Sequence, residues 1–352
     1  MSAEPRISIA MATYNGARYI REQLDSLAAQ TLLPCELVVT DDGSTDATLE
    51  IVRDFAQESP FPVRVYCNEN RLGFADNFLL ATSFCEGELI AFCDQDDIWL
   101  PEKLIRCAAK FDNPAVLLCV HSAELINANG NLLNRRFPDY KSCKYHANSN
   151  DIWDISYYGF SMVFHRKLVE LLPIAKRISP HLRYFWNHDT YISFFSTNLG
   201  DTIFLSEILT RYRQHGSNAW GAPRVLDLSG KISKISSTGA SHYGEKASDA
   251  AEREAILAAL SSSLPGNLGL NAGRGAARHR RLRMALTRRM ERYEARVPFA
   301  SVPGIVNAIL HGDYGRKSKG GLGGRAIIKD FLHAVVPGLL SSTKNRRTSY
   351  EK

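Results

Sequence analysis

Three carboxylates, Asp94, Asp96 and Asp97, follow directly on the apolar run Leu89-Ile90-Ala91-Phe92-Cys93. Carboxylates crowded in this way repel one another unless a cation or hydrogen-bond donors compensate. At the carboxyl end of a buried strand, where open α/β sheets bind ligands, the natural compensator is a divalent ion. Hard oxygen ligands suit Mg²⁺ or Mn²⁺, which share their shell with substrate phosphates. The same residues also suit a solvated acidic turn ahead of a helix that starts near Pro101, because acidic side chains favour helix N-termini. A second acidic group, Asp41-Asp42-Gly43-Ser44-Thr45-Asp46, closes another apolar run, Leu37-Val38-Val39-Thr40. Asp41 or Asp42 can accept hydrogen bonds from a base or ribose, or cap the helix that follows.

These groups need elements to bring them together. Arg6-Ile7-Ser8-Ile9-Ala10-Met11-Ala12 reads as a strand stopped by the turn-forming Thr13-Tyr14-Asn15-Gly16. Residues 17–30 space Tyr19, Ile20, Leu24, Leu27 and Ala28 as on one helix face. The second strand at 37–40 leads, through a turn permitted by Gly43, to a helix through Phe55 that Ser44 or Thr45 can cap. Val63 to Cys67 is a third strand and Phe74 to Cys85 a third helix. The run ahead of Asp94 is the fourth strand. Strands alternating with helices predict a doubly wound, mostly parallel sheet, with Ala12 to Asn15, Asp41-Asp42 and Asp94-Gln95-Asp96 converging at its carboxyl edge. No GxGxxG follows the first strand and no GxxxxGK[ST] is present, so dinucleotide and P-loop readings lose their main support.

Beyond Pro101 the pattern predicts a helix over 102–111, a strand from Ala115 to His121, a turn at 127–131 and a strand near 203–205. Residues 134–156 lack periodicity and suit either an acceptor-side loop or a surface insertion. Tyr157 to Phe164 reads as one more strand.

The 352 residues, 45% hydrophobic and 23% charged, are those of a globular chain with room for one large α/β domain and an appendage, or for two domains. Seven scattered cysteines with no CxxC pair support neither a zinc site nor a disulfide framework, and lead us to expect free thiols in a reducing cytoplasm. The opening Met1 to Arg6 runs into a strand, so no secretion leader is expected. No window of about 18 apolar residues is present, so no transmembrane helix is expected. Residues 271–352 hold 18 Lys+Arg against 5 Asp+Glu, whereas residues 1–270 are net acidic. That asymmetry points the tail at something anionic.

In five motifs the sequence resembles the family 2 glycosyltransferases of GT-A fold, and most of all bacterial enzymes described as rhamnosyltransferases. The motifs are Ile7 to Gly16, Gln30-Thr31, Asp41 to Asp46, Asn70-Arg71-Leu72-Gly73, and Asp94-Gln95-Asp96-Asp97-Ile98-Trp99-Leu100-Pro101. The resemblance is dense over 6–112 and thinner to about 221. It implies an α/β, Rossmann-like central sheet flanked by helices, a nucleotide-diphosphosugar donor, a divalent metal and inversion at the anomeric carbon. Carried over by position, it implies that Ala12 and Asp42 line a nucleobase pocket with Asp41 near it. Thr13, Tyr14, Asn15, Arg71 and Gln95 join the donor-binding set, Asp94 and Asp96 form the metal-binding pair, and 157–164 packs near the donor sugar.

The resemblance also places the base. An inverting transfer needs the acceptor hydroxyl deprotonated as it attacks, and in the family an acidic residue at a helix start does this. Asp189, in Trp186-Asn187-His188-Asp189-Thr190-Tyr191 ahead of an apolar helix, matches that position. His188 stands where the family has an acid, so it can orient Asp189, touch the acceptor or cap the helix. Without the resemblance, Asp189 is a helix-start carboxylate facing the dipole. In Arg211-Tyr212-Arg213-Gln214-His215-Gly216-Ser217-Asn218, Arg213 and His215 match a family segment near the diphosphate. Arg213 would neutralise the leaving group and His215 would complete the metal shell.

Accordingly we expect a glycosyltransferase domain over 1–221, with a nucleotide-sugar half to about 112 and an acceptor half to 221. A linker or flap over 222–252 and a basic, partly amphipathic helical extension over 253–352 would follow. Arg278, Arg280, Arg281, Arg283, Arg288, Arg289 and Arg292 crowd one helix of that extension, and helical spacing over 253–296 is interrupted at Pro265-Gly266 and Gly269 to Gly275. Val297 to Leu310 and Ala326 to Leu340 adjoin it as apolar stretches, and Gly320 to Gly324 reads as a hinge. Such an extension suits either the anionic inner face of a membrane carrying a lipid-linked saccharide acceptor or a solvated helix packed on the body. The competing functions are nucleic-acid binding through the basic tail, which lacks interleaved aromatics, and sugar nucleotidyl transfer, which calls for a glycine-rich, basic first loop.

Overall fold

The computed structural model describes residues 5–148, 157–171, 187–216, 240–294 and 301–331. The chain falls into two units, Met1–Ala147 with Ile155–Pro223 and Asn148–Asp154 with Arg224–Lys352.

In the first unit the opening pattern is β1 (Ile7–Thr13), α1 (Ile20–Ala28), β2 (Glu36–Asp41), α2 (Thr48–Glu58), β3 (Val63–Cys67), α3 (Phe74–Phe84) and β4 (Leu89–Cys93). Every residue of β2 and β4 is buried, as expected of strands covered by helices on both faces. These four strands pair in parallel in the order β3-β2-β1-β4. Ile20, Leu24 and Leu27 recur at helical spacing and bury one face of α1 against them. Truncating such a fully buried Leu to Ala costs about 2–5 kcal/mol.

The chain continues as β5 (Ile98–Trp99), α4 (Lys103–Ala108), β6 (Val116–Asn127), β7 (Leu132–Arg136), β8 (Cys143–Tyr145), a 3₁₀ turn at Gly159–Ser161, β9 (Met162–His165), α5 (Lys167–Glu170), α6 (His188–Leu199) and β10 (Asp201–Gln214). Here the sheet is mixed: β9 is antiparallel to β4 and β6, β10 is parallel to β6, and β5 is antiparallel to β10. Three expectations change. Tyr157 to Phe164 is not one strand, because the Ser161 amide and hydroxyl both donate to the Tyr158 carbonyl (2.9 and 2.7 Å) and close a turn. The 134–156 stretch contributes two exposed strands, β7 and β8. The strand near 203–205 is fourteen residues long and includes Arg211 to Gln214, and register shifts near Leu205 to Thr210 hide its alternation in the sequence. The cap of α2 differs too: the Asp46 carboxylate accepts the Thr48 amide at 3.0 Å, while the Ser44 hydroxyl turns back to Asp41.

The second unit is helical: α7 (Ala240–Ser263), α8 (Gly266–Glu294), α9 (Ser301–Leu310) and a helix over 324–331. Residues 240–252 are therefore helix rather than linker, since Ala, Glu and Lys outweigh the scattered Ser there; residues 222–239 lie outside the described residues. The break at Pro265-Gly266 is present, but Gly269 to Gly275 do not interrupt α8. A Cβ on Gly269 would come within 2.3 Å of the Leu264 carbonyl, and one on Gly273 within 2.9 Å of the Ser261 hydroxyl, so these glycines let α8 approach α7 closely. Much of the basic character of α8 is neutralised inside the unit. Arg280 and Arg283 hold Glu254 at 2.7 and 2.9 Å, Arg288 holds Asp313, and Arg289 and Arg292 hold Asp330. Among the described residues no helix is long and apolar enough to cross a membrane.

Candidate active site

Strand register brings the sequence-predicted residues to one edge. In the parallel ladder Thr13 lies beside Asp41 and Met11 beside Cys93, so the loops after β1, β2 and β4 leave the sheet together. Side chains then stitch them. Thr13 Oγ1 donates to Asp41 Oδ2 at 2.7 Å, and the Asn15 amide donates to Ser44 Oγ at 2.9 Å. The Thr45 amide donates to Asn15 Oδ1 at 2.8 Å. Tyr14 and Gln95 exchange two bonds, amide to Oε1 at 3.0 Å and Nε2 to carbonyl at 3.1 Å. The Arg71 guanidinium lies 3.8 Å from the Tyr14 ring centroid, a cation–π contact that fixes both beside the crevice.

The two adjacent aspartates are used differently. Asp41 is fully buried and closes its own turn, accepting from the Gly43 and Ser44 amides at 3.1 and 2.7 Å and from the Ser44 hydroxyl at 2.6 Å. Asp42 reaches the other way. Its carboxylate accepts from Asn68 Nδ2 (2.9 Å) and from the Leu72 and Gly73 amides (2.8 and 2.7 Å), which pins the loop that carries Arg71. Ala12 is half-buried next to this edge.

The acidic tip of β4 meets β10 through register as well. Trp99 pairs with Thr210 and Ile98 with Arg211 in an antiparallel ladder, so two residues further on Arg213 faces Asp96. The Arg213 amide donates to Asp97 Oδ1 at 2.9 Å and its Nε to the Asp96 carbonyl at 2.8 Å. Its guanidinium also pairs with Glu22 and sits 4.8 Å from the Tyr19 ring centroid. Arg213 is fully buried, so it braces the main chain of the tip. Beyond it His215 stacks on Tyr19 at 4.8 Å and places Nε2 2.7 Å from Asp96 Oδ2.

Negative charge is in excess at this tip. Burial first, and then Asp96 and Asp189, push the Asp94 carboxyl up to about 7. Asp97 is fully buried and is raised well above the usual carboxylate range by burial and by Asp96 and Asp94. Asp97 Oδ2 has no hydrogen-bond partner among the described residues. Beneath the tip lies Lys103, fully buried, whose ammonium donates to the Phe160 carbonyl at 2.6 Å and to Thr210 Oγ1 at 3.2 Å. Burial brings its pKa down to about 8, against the pull of Cys93, Cys107, Asp97 and Asp94.

Asp189, in the first turn of α6, is brought to this end of β4 although it lies far along the chain from Asp94, because its neighbour His188 packs edge-on against Phe92. Burial pushes Asp189 up to about 6, and the Thr190 amide (2.6 Å) and hydroxyl (3.3 Å) hold it back. A carboxylate with that pKa is matched to proton abstraction near neutral pH. His188 is buried, stacks 4.2 Å from Phe78 and meets Phe92 edge-on at 4.8 Å. Its aromatic surroundings peg α6 onto α3 and β4. Trp186, Ser217 and Asn218 lie outside the described residues.

No group of three or more His, Cys, Asp or Glu side chains converges on one point among the described residues. Asp96 and His215 do converge, and Asp94 stands by with its ionisation suppressed by burial and then by neighbouring charge. Two protein ligands suit an ion that takes the rest of its shell from diphosphate and water, so the residues fit such an ion.

Lys103, Asp97 and Glu22 escaped assignment from the sequence. For Lys103 a signal was there: it shares the buried face of a short helix with Leu104, Cys107 and Ala108, an unusual place for a lysine.

The profile of Glycosyl transferase family 2 matches residues 8–172. An uncharacterised glycosyltransferase of Nostoc sp. is 28% identical over 221 residues, 60% of this chain and 66% of that protein. A chondroitin synthase of Pasteurella multocida is 34% identical over 130 residues, 37% of this chain but 13% of that protein. The match thus spans less than two thirds of these relatives. S. aureus TarS residues 1–349, solved in complex with UDP, share the fold at TM-score 0.51 and 19% identity, covering 88% of this chain and 93% of that one. Neither the nucleic-acid nor the nucleotidyltransferase reading is favoured by these likenesses. With its parallel half-sheet, acidic strand tip and matching profile, the segment 8–172 is a domain of glycosyl transferase family 2.

Proposed function

We propose that this chain is an inverting glycosyltransferase that moves a sugar from a nucleotide-diphosphosugar to a hydroxyl of a saccharide or lipid-linked saccharide acceptor in cell-surface polysaccharide assembly. The observation that carries this reading is the packing of His188, the neighbour of Asp189, edge-on against Phe92 of β4, two residues before Asp94, which sets a base-type carboxylate and a metal-type carboxylate at the same end of that strand. The loops with Ala12 to Asn15, Asp42 and Arg71 would receive the nucleotide. Asp189 would take the acceptor's hydroxyl proton as that oxygen bonds to the anomeric carbon from the face opposite the leaving group. The bond from that carbon to the diphosphate oxygen breaks in the same step, and the nucleoside diphosphate departs with the electron pair. A Mg²⁺ or Mn²⁺ ion held by Asp96 and His215, with Asp94 beside them, would supply the charge that neutralises the departing diphosphate.

Deoxythymidine-diphospho-rhamnose is the first donor to try, given the resemblance of the motifs, and UDP-N-acetylglucosamine the second, since TarS has also been solved with it. The test is a panel of nucleotide sugars scored for turnover and binding with Asp96→Ala and Asp189→Asn. Asp96→Ala is expected to lose donor binding, and Asp189→Asn to bind donor without turning it over. Wild-type turnover in either variant removes that residue's role.

The basic extension is proposed to meet an anionic membrane surface on the cytoplasmic side. Support comes from the 18 to 5 excess of basic residues over 271–352 and from exposed Val306, Ile309 and Leu310 on α9. Flotation with phosphatidylglycerol vesicles against neutral vesicles tests it.

A further inference from the structure

Phe137, Tyr158, Phe160 and Tyr212 form one aromatic group on a segment tied to the first turn of α6, and the proposed chemistry leaves them without a task. Phe160 and Tyr212 are buried and stack at 4.4 Å, forming a small core with Ala123 and Leu125 apart from the main one. Phe137 and Tyr158 cover that core edge-to-face at 4.6 Å and remain half-buried, so each keeps part of its ring towards solvent. The Tyr158 hydroxyl has no hydrogen-bond partner among the described residues.

Their position relative to Asp189 is fixed by one hydroxyl. Ser193 Oγ donates to the Asp189 carbonyl at 2.7 Å and accepts the Tyr157 amide at 3.3 Å, tying the segment that carries Tyr158 to the first turn of α6. On the other side Phe137 is held to β6 by the pair of bonds Phe137 amide to Ala123 carbonyl (2.9 Å) and Ala123 amide to Pro138 carbonyl (3.1 Å). The pair is thus built from two rigid anchors.

A pyranose ring presents an apolar face of axial C–H groups and an equatorial rim of hydroxyls. Partly exposed rings with an unsatisfied phenol suit such an object: rings for the C–H face, the phenol for a hydroxyl, and the carboxylate of the helix turn tied to the same segment for the hydroxyl that reacts. An acyclic polyol offers no such face. We propose that Tyr158 and Phe137 form the stacking platform for the acceptor's pyranose ring and so make the acceptor a cyclic sugar. This rests on Asp189 being the base.

The test uses the full chain and needs no donor. Saturation-transfer NMR is recorded with methyl glucoside, methyl rhamnoside and methyl N-acetylglucosaminide, with sorbitol as the acyclic probe. At least one glycoside is expected to bind, with its axial protons most strongly saturated, and sorbitol is not. Tyr158→Leu and Phe137→Leu keep apolar bulk but remove the π-face, and should each weaken glycoside binding on the order of 3- to 10-fold. Tyr158→Phe should restore most of the stacking. Once a donor is known, the leucine variants should raise the acceptor KM far more than they lower kcat. The proposal is overturned if no glycoside binds, if sorbitol binds equally well, if the leucine variants bind as wild type does, or if only the donor's KM rises. Glycoside binding that the leucine variants lose, without turnover of any nucleotide sugar, would sink the transferase reading and leave only a sugar-stacking surface with no acceptor role, which separates the two.

Discussion

The ammonium of Lys103 lies 3.4 Å from the centroid of the Trp99 ring, in a fully buried position below the acidic tip of β4. Trp99 pairs with β10 and Lys103 opens α4, so this contact fastens the loop between them while holding a positive charge under Asp94 and Asp97. Replacing Lys103 by Met would keep the volume but leave the Phe160 carbonyl without its donor and the carboxylates without their standing counter-charge. Removing one partner from a buried charged cluster costs about 3–5 kcal/mol, so urea denaturation should show a loss of that order. Adding Asp97→Asn should recover part of it, because it removes the buried acid that loses its counter-charge when Lys103 goes. A Lys103→Met protein as stable as wild type would remove the counter-charge role.

Asp189 predicts opposite effects on rate and on stability. As the base it acts ionised, so kcat should fall with slope one as pH drops through about 6. For stability the sign reverses. Its folded pKa is above the ordinary carboxyl value of 3.8, so between the two the folded state binds more protons. The ionised form is therefore the less favourable one in the fold, and the penalty is fully present above pH 6. Asp189→Asn should then be inactive yet more stable at pH 8, on the order of 1–3 kcal/mol, and should lose that advantage near pH 4. Thermal melts at both pH values decide it.

The parallel half of the sheet and its loops were legible in the sequence because each strand is a mostly apolar run followed within a few residues by Asn, Asp or Gly. The tip was legible as acidic for the same reason. What escaped notice depends on long-range register. Nothing near Arg213 says that it will lie opposite Asp96, since that follows from a two-residue strand, Ile98–Trp99, too short to show a pattern. The register shifts in β10 likewise hid a fourteen-residue strand behind a stretch that reads as loop. In the second unit, local composition misled differently. Glycines that look like helix breakers are contact points between α7 and α8, and arginines that look solvent-facing find Glu254, Asp313 and Asp330 far along the chain.

His215 stands 2.7 Å from Asp96 and is stacked on Tyr19, so its ring is positioned before any ligand arrives. If the pair holds a divalent ion, His215→Ala should raise the Mn²⁺ concentration for half-maximal turnover by at least about tenfold, with the fold intact by circular dichroism. Tyr19→Leu should have a weaker effect in the same direction, because it only frees the ring. An unchanged Mn²⁺ dependence in His215→Ala would take the histidine out of the shell.

Gly159→Ala is the sharpest probe of how α6 is seated. A Cβ at that position would approach His188 Nε2 to 2.5 Å. That ring has nowhere to go, since it is buried and stacked on Phe78 with Phe92 edge-on. The added methyl must therefore push His188, and with it the first turn of α6, where Asp189 is the next residue. Overpacking of a filled core costs about 1–3 kcal/mol, and displacing the base by a fraction of an ångström should lower kcat more than it raises the donor KM. A Gly159→Ala, His188→Ala double variant has room for the methyl. Its stability should therefore exceed the sum of the two single effects, and strict additivity in that cycle would mean that the two side chains do not compete for the same space.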